Sequence, residues 1–342
     1  MKRLFFAITL VAVSCLSMSA CTTGSSSKPK APERQGWNNS IPLYGDVESV
    51  VITTYELKEK FGEIVREDVW DCEKYYFNKA GDVIEWAPYY SDGSLYSKII
   101  YKYDSSGNKI EEAWYNSDGS LREKSICKYD TSGNMIEEAE YNSDGSLREK
   151  WICKYDTLGN MIEWASYNSD GSLTDKSIYK YNSSGNKIEA AWYNSDGSLE
   201  WKQTSKYDTS GNKIEEAEYN SDGSLIEKLT SKYDTLGNMI EEAKYNSDGS
   251  LQWKQVYKYD SSGDMIEAAW YNSDGSLEWK EVYKYYTSGN MIEEAKYNSD
   301  GALREKWICK YDTSGNMIEM TEYRGEALLP TSQTVYEITY RK

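Results

Sequence analysis

The sequence has 342 residues with 39 basic and 56 acidic side chains, a net charge of −17, and no histidine. Phosphate recognition wants a basic surface, so nucleic acid is not an expected partner. The missing histidine excludes His-based triads, general bases and zinc sites, and the acidic balance keeps an extended surface soluble.

In chain order, Lys2 and Arg3 precede an apolar stretch from Leu4 to Val13 and then Met18-Ser19-Ala20-Cys21. This is the layout of an export signal, with an apolar run too short to span a bilayer comfortably. An ordinary secretory signal cut near Ala20 would share the layout. The small residues before a cysteine make it resemble a bacterial lipoprotein signal. That resemblance implies removal of residues 1–20, lipidation of Cys21 as the new N-terminus and attachment to the membrane through the lipid, with the outer membrane as the expected location and either face open. Loss of Lys2 and Arg3 takes the charge from −17 to −19 before termini are counted. Residues 21–40, with Gly24, a serine run, Pro29 and Pro32, read as a flexible tether. Folding is expected to begin near Ile41. Val47 to Tyr55 and Ile64 to Trp70, flanking Lys60-Phe61-Gly62, then predict a non-repetitive capping hairpin over residues 41–74.

From residue 75 to 323 the chain repeats with a period of 26 residues. Tyr103, Tyr129 and their successors to Tyr311 keep this spacing, with Gly107 to Gly315 in step, and a second series runs from Tyr115 to Tyr323. Tyr129-Asp130-Thr131-Ser132-Gly133-Asn134 has the chemistry of a type I turn closed by a left-handed glycine, and Asn142-Ser143-Asp144-Gly145 repeats it. Each unit is therefore strand, turn, strand, turn. The fold class expected is all-β, a repetitive antiparallel meander. Counting from the turns places Tyr129 opposite Met135, Tyr141 opposite Leu147 and Glu138 opposite Lys150, with a slip of two residues per two strands. Such a shear tilts strands by about 36° and favours a twisted, spiralling sheet over a flat ribbon. Residues 324–342, with alternating Val335, Glu337, Ile338 and Tyr340, predict a C-terminal capping strand.

Strict alternation of side chains divides the residues between two faces. Leu121, Cys127, Tyr129, Met135, Ala139 and Tyr141, with Trp151, Trp201, Trp253, Trp279 and Trp307, are expected on a packed face. Lys124, Ile126, Lys128, Ile136, Glu138 and Glu140 are expected on a wetter one, with Trp86, Trp114, Trp164, Trp192 and Trp270 as the candidate binding surface, because exposed aromatic faces stack on sugars or proteins. Cys127, Cys153 and Cys309 share one slot of different repeats, roughly 9.5 Å apart for neighbours, too far for disulfides. Cys72 is offset by an odd number and should point the other way.

The run Tyr101-Lys102-Tyr103-Asp104-Ser105-Ser106-Gly107-Asn108 resembles the tyrosine-aspartate repeat of Rhs-type proteins, over roughly residues 75 to 323. The resemblance implies a long spiralling antiparallel sheet, which large members wind into a shell around a toxic C-terminal segment. With a short array and Lys342 as the last residue, neither a complete shell nor a delivered toxin is expected here. No enzyme activity, cofactor or metal is expected. Repeated carboxylates such as Glu137 and Glu138 could form a glycosidase pair but recur at solvated strand positions without a unique pocket, and the turn oxygens fall short of a calcium shell of six to eight ligands. The function expected is a non-catalytic envelope lipoprotein acting as a binding or structural surface module for a glycan or an envelope protein, with a glycan- or wall-binding protein using the tryptophan rows as one alternative and an envelope glycosidase using acidic pairs as another.

Overall fold

The computed structural model describes residues 32, 34–38, 41–325 and 327–342. The signal, Cys21 and most of the expected tether lie outside the described residues. The rest forms 22 antiparallel strands in a single meander, from β1 (Val47–Lys60) and β2 (Glu63–Phe77) through β3 (Val83–Tyr89) and β4 (Ser97–Tyr103) to β21 (Met317–Arg324) and β22 (Leu329–Tyr340). β1 also pairs with β22, from Val47 opposite Tyr340 to Glu56 opposite Ser332. The sheet is thus closed into a barrel. This corrects the expected spiral: the hairpin and the last strand, read as caps at two separate ends, supply each other's missing partner, which removes both free edges.

Both turns of the repeat form as their chemistry dictates. Asp130 N–H donates to the Asn134 carbonyl, Gly133 N–H to the Asp130 carbonyl, and Gly133 takes φ = 84°. Asp130 Oδ1 accepts the Ser132 and Asn134 amides at 2.8 and 2.9 Å. These bonds hold its carboxyl below the usual range, the side-chain bond from Asn134 first. In the second turn Asp144 Oδ1 accepts both the amide and the hydroxyl of Ser146. The turn oxygens are therefore already engaged by the turns themselves.

Just beyond each turn the pairing departs from simple counting. Tyr129 opposes Met135 as expected, but Lys128 opposes Glu137, leaving Ile136 as an extra residue. On the next hairpin Tyr141 opposes Leu147 while Glu140 opposes Glu149, with Arg148 the extra residue. These are β-bulges, which place two residues of one strand against one of its partner. The slip of two residues per two strands survives, because Cys127 opposes Glu138 and Glu138 opposes Trp151, 24 residues on in a 26-residue period. The predicted opposition of Glu138 and Lys150 does not. Ala139 faces Lys150, and each face assignment that crosses one turn is reversed, while those two turns apart, such as Cys127 and Trp151, are kept.

One face of the corrected sheet is the same in every unit. In the repeat from β6 (Leu121–Tyr129) to β7 (Met135–Asn142) it carries Lys124, Ile126, Lys128, Glu137, Ala139 and Tyr141. Nine equivalent lysine–glutamate pairs, among them Lys128–Glu137 and Lys258–Glu267, lie at 2.6–2.8 Å on it. The other face varies from unit to unit. No second layer covers it within the repeats, yet Glu281, Glu294, Tyr257, Tyr283 and Ser125 on it are all buried. On the regular face of the repeats only alanines such as Ala139 and the threonine at their slot, Thr321, are buried, and Lys128 is 63% exposed. Side chains converge on the concave side of a curved sheet and splay on the convex side, so the varied face lines the barrel interior.

The core sits where the barrel closes. Residues 34–38 and 41–46 lie at the seam and pack Trp37, Ile41 and Leu43 on Val47, Val50, Phe77, Val83 and Tyr336. Trp37 meets Tyr75 and Phe77 edge-on at 4.9 and 5.6 Å. The Arg34 guanidinium donates to the carbonyls of Gly81, Leu43 and Gly45. On the far side of the seam, the buried Asn316 accepts the Tyr44 amide and donates to its carbonyl. Arg34 to Asn38, within the stretch read as tether, are thus part of the folded body.

Candidate binding face

The bulges bring both predicted tryptophan rows to the same face. Trp86 opposes Ile99, which opposes Trp114. Trp151 and Trp164 follow beside Cys153, and Trp192 opposes Trp201. Trp253, Trp270, Trp279 and Trp307 share the face across β16 (Leu251–Tyr259), β17 (Met265–Asn272), β18 (Leu277–Tyr285), β19 (Met291–Asn298) and β20 (Leu303–Tyr311). Trp151, Trp201, Trp253, Trp279 and Trp307 keep the face of Cys127, whereas Trp86, Trp114, Trp164, Trp192 and Trp270, expected beside Lys124, Ile126 and Lys128 on the wetter face, lie on the opposite face from those residues, which corrects the expected separation of the two rows. Strict alternation carries parity unchanged through a hairpin, whereas one extra residue per turn reverses it.

The five tryptophans expected to bind do not share one environment. Trp86 belongs to the core beneath Trp37 and donates its indole N–H to Glu73 at 3.1 Å. Trp114 lies between Ile99 and Glu123, and Trp164 between Cys153 and Ser177. Trp192 and Trp270 stack on Trp201 and Trp279 with ring centroids 3.3 and 3.4 Å apart and planes within 10° and 16°. These two pairs fall in identical 15-residue stretches, Ile188–Lys202 and Ile266–Lys280, three repeats apart. Trp192, Trp201, Trp270 and Trp279 are partly exposed.

Carboxylates occupy the same face. Glu281 accepts the Tyr283 hydroxyl at 2.6 Å and lies 3.7 Å from Lys296. Burial, then the neighbouring Glu281, pushes Glu294 up to about 7. Burial, then Glu216, raises Glu242. Glu216, Glu218, Glu227 and Glu242 line a recess of about 320 Å³ together with Leu229, Trp253, Gln255 and Lys244, which pairs with Glu227 at 2.8 Å. Sequence reasoning treated these glutamates as solvated strand positions. The signal that could have found them is that their slots change from repeat to repeat, whereas the slots of Lys128 and Glu137 do not.

Glu137 and Glu138 point to opposite faces, Glu137 outward against Lys128 and Glu138 inward opposite Cys127, so they do not form a facing pair. Cys72, Cys127, Cys153 and Cys309 carry no disulfide. Cys72 opposes Thr53 and Tyr89 on the outer face, as its offset predicts, whereas Cys127, Cys153 and Cys309 face inward. Among the described residues Glu56, Glu67 and Asp68 form an exposed carboxylate cluster, but Glu67 is held by Lys58 and by Lys60 at 2.7 Å.

No protein-family model and no curated protein matches the chain. Among solved structures it is similar to a chain of the TcdB2-TccC3-Cdc42 complex, at 11% identity and a TM-score of 0.25 over 79% of this chain and 20% of that one. The porin-like protein from Bacteroides uniformis ATCC 8492 is similar at 10% identity and a TM-score of 0.33, over 86% and 98% of the two chains. The Photorhabdus luminescens Tc holotoxin pore gives 9% identity and 0.22 over 83% and 26%. The chain spans about a fifth of the TcdB2-TccC3 chain it matches. These scores are too low to carry function across.

Proposed function

We propose that this chain is a non-catalytic lipoprotein of the bacterial envelope whose barrel is a binding module, with an envelope glycan held on its inner face. The observation that carries this reading is the confinement of variation to one face. Lysine, a β-branched residue, lysine, glutamate and tyrosine recur outward in all nine repeats, with alanine at the remaining slot except for Thr321. The inward slots change from Glu to Trp, Ala, Lys or Met. A face that only had to close a barrel would repeat like the outer one. Partly exposed tryptophans beside carboxylates offer sugars a stacking surface and hydrogen-bond acceptors together.

Anchoring through lipid at Cys21 fits the barrel better than insertion does. A membrane-spanning barrel carries an apolar outward band about 25 Å tall. Here the outer face is a ladder of lysine–glutamate pairs, and the inner face carries glutamates of its own.

The test is titration of the folded protein with cell-wall and envelope oligosaccharides, read by tryptophan fluorescence and calorimetry. Trp192→Ala is expected to weaken binding about tenfold, from the loss of a stacking platform. Tyr193→Ala on the outer face should leave affinity unchanged. Saturable binding lost through Tyr193 and not through Trp192 would contradict the reading.

A further inference from the structure

The two identical tryptophan modules differ in what lies against them. In the later one the Lys296 ammonium sits 3.7 Å from the centroid of the Trp279 ring and 3.7 Å from Glu281, with Glu305 opposite Lys296 on the next strand. An ammonium over a tryptophan face, with carboxylates beside it, is a favourable cation site. The molecule therefore displays a filled version of such a site.

Three repeats earlier the same stack recurs as Trp192 on Trp201, but the slot of Lys296 holds Glu218. The neighbours correspond one for one. Gln203 takes the place of Glu281 and is paired with Glu218, and Glu227 takes the place of Glu305 and opposes Glu218. At this module the internal ammonium has become a carboxylate, while the aromatic face and the acidic neighbour remain. Trp201 and Glu218 are partly exposed, and Glu218 and Glu227 also line the recess walled by Trp253 and Leu229. The recess has four glutamates to one lysine, and that lysine is paired with Glu227.

Building on the glycan reading of the inner face, we infer that this recess takes an amino sugar with a free amine, its ammonium beside Glu218 against Trp201 and its apolar ring face toward Trp253. The ammonium replaces from outside what Lys296 supplies from within the chain at the later module. Glu242, raised by burial and by Glu216, is a carboxyl that an arriving cation would favour.

The experiment titrates the full folded chain with three probes at a pH where their amines are protonated: a fully de-N-acetylated chito-oligosaccharide, its N-acetylated counterpart, and spermidine. Each is measured on the wild type, Glu218→Lys and Glu218→Gln. Lysine already occupies this slot at Lys244 and Lys296, so Glu218→Lys is compatible with the fold, and circular dichroism checks that it is folded. The expected result is binding of the de-N-acetylated oligomer, weakened about thirtyfold by Glu218→Lys and less by Glu218→Gln, with the N-acetylated oligomer far weaker on the wild type. Equal binding of the two oligomers would overturn the ammonium inference while leaving the glycan reading intact. Spermidine bound as tightly as the amino sugar would overturn the assignment to a sugar. No binding of any probe would overturn the inference, and the wider oligosaccharide panel would then decide the glycan reading separately.

Discussion

At the scale of single residues, the tyrosine of each first turn does more than fill space. Tyr259 donates its hydroxyl to the Met239 carbonyl at 2.8 Å, and the equivalent bond recurs from Tyr103 to Val83 through Tyr311 to Met291. Each spans 20 residues and so ties one repeat to the strand start of the one before. Burial pushes the Tyr259 hydroxyl up to about 12, which keeps it protonated and donating at neutral pH. Tyr259→Phe should therefore cost about 1 kcal/mol through one lost hydrogen bond, read as a lower midpoint in urea without a change in slope. An unchanged midpoint would show that the bond contributes nothing net.

Glu294 makes a second residue-scale prediction. Its folded value of about 7 lies above the ordinary 4.5, so between these the folded state holds a proton that the unfolded state has lost. Stability then falls as pH rises through that window, by up to about 3 kcal/mol for a shift of this size. Glu294→Gln should flatten the fall between pH 5 and 8 in thermal melts. A wild-type profile just as flat as that of the variant would contradict it.

At the scale of elements, the turns, the strand count per repeat and the shear were legible in the sequence, because Asp, Asn and Gly at fixed offsets name their turn. The faces were not. Ile136 and Arg148 look like ordinary strand residues, and nothing in their chemistry marks them as the extra residue of a bulge. One residue decides parity, so the error moved five tryptophans to the wrong face while leaving Tyr129 opposite Met135 correct. A cross-link distinguishes the registers. Glu138→Cys faces Cys127 and should oxidise to an intramolecular disulfide, since directly opposed residues lie within disulfide reach. Glu137→Cys faces Lys128 and should not. The reverse outcome would restore the unbulged pairing.

At the scale of the whole molecule, the repeats can set curvature, but closure depends on the segments that do not repeat. The β1 and β22 strands were visible as strands. Their pairing was not, because 280 residues separate Thr54 from Thr334 and the local pattern of either strand fits an edge as well as an interior position. The seam is further held by Tyr44 against Asn316 and by Arg341, whose amide donates to the Asp46 carbonyl and whose guanidinium bonds the Asp46 carboxylate at 2.5 Å. Closure defines an inside, and the binding reading rests on having one.

The most direct measurement is therefore a disulfide across the seam, in a Thr54→Cys, Thr334→Cys double variant oxidised at low concentration and mapped by mass spectrometry. The two side chains face each other, with hydroxyl oxygens 3.0 Å apart. The barrel predicts a link within one chain, formed in high yield in a monomer. Links only between chains, or none while the protein remains folded, would mean that the sheet stays open.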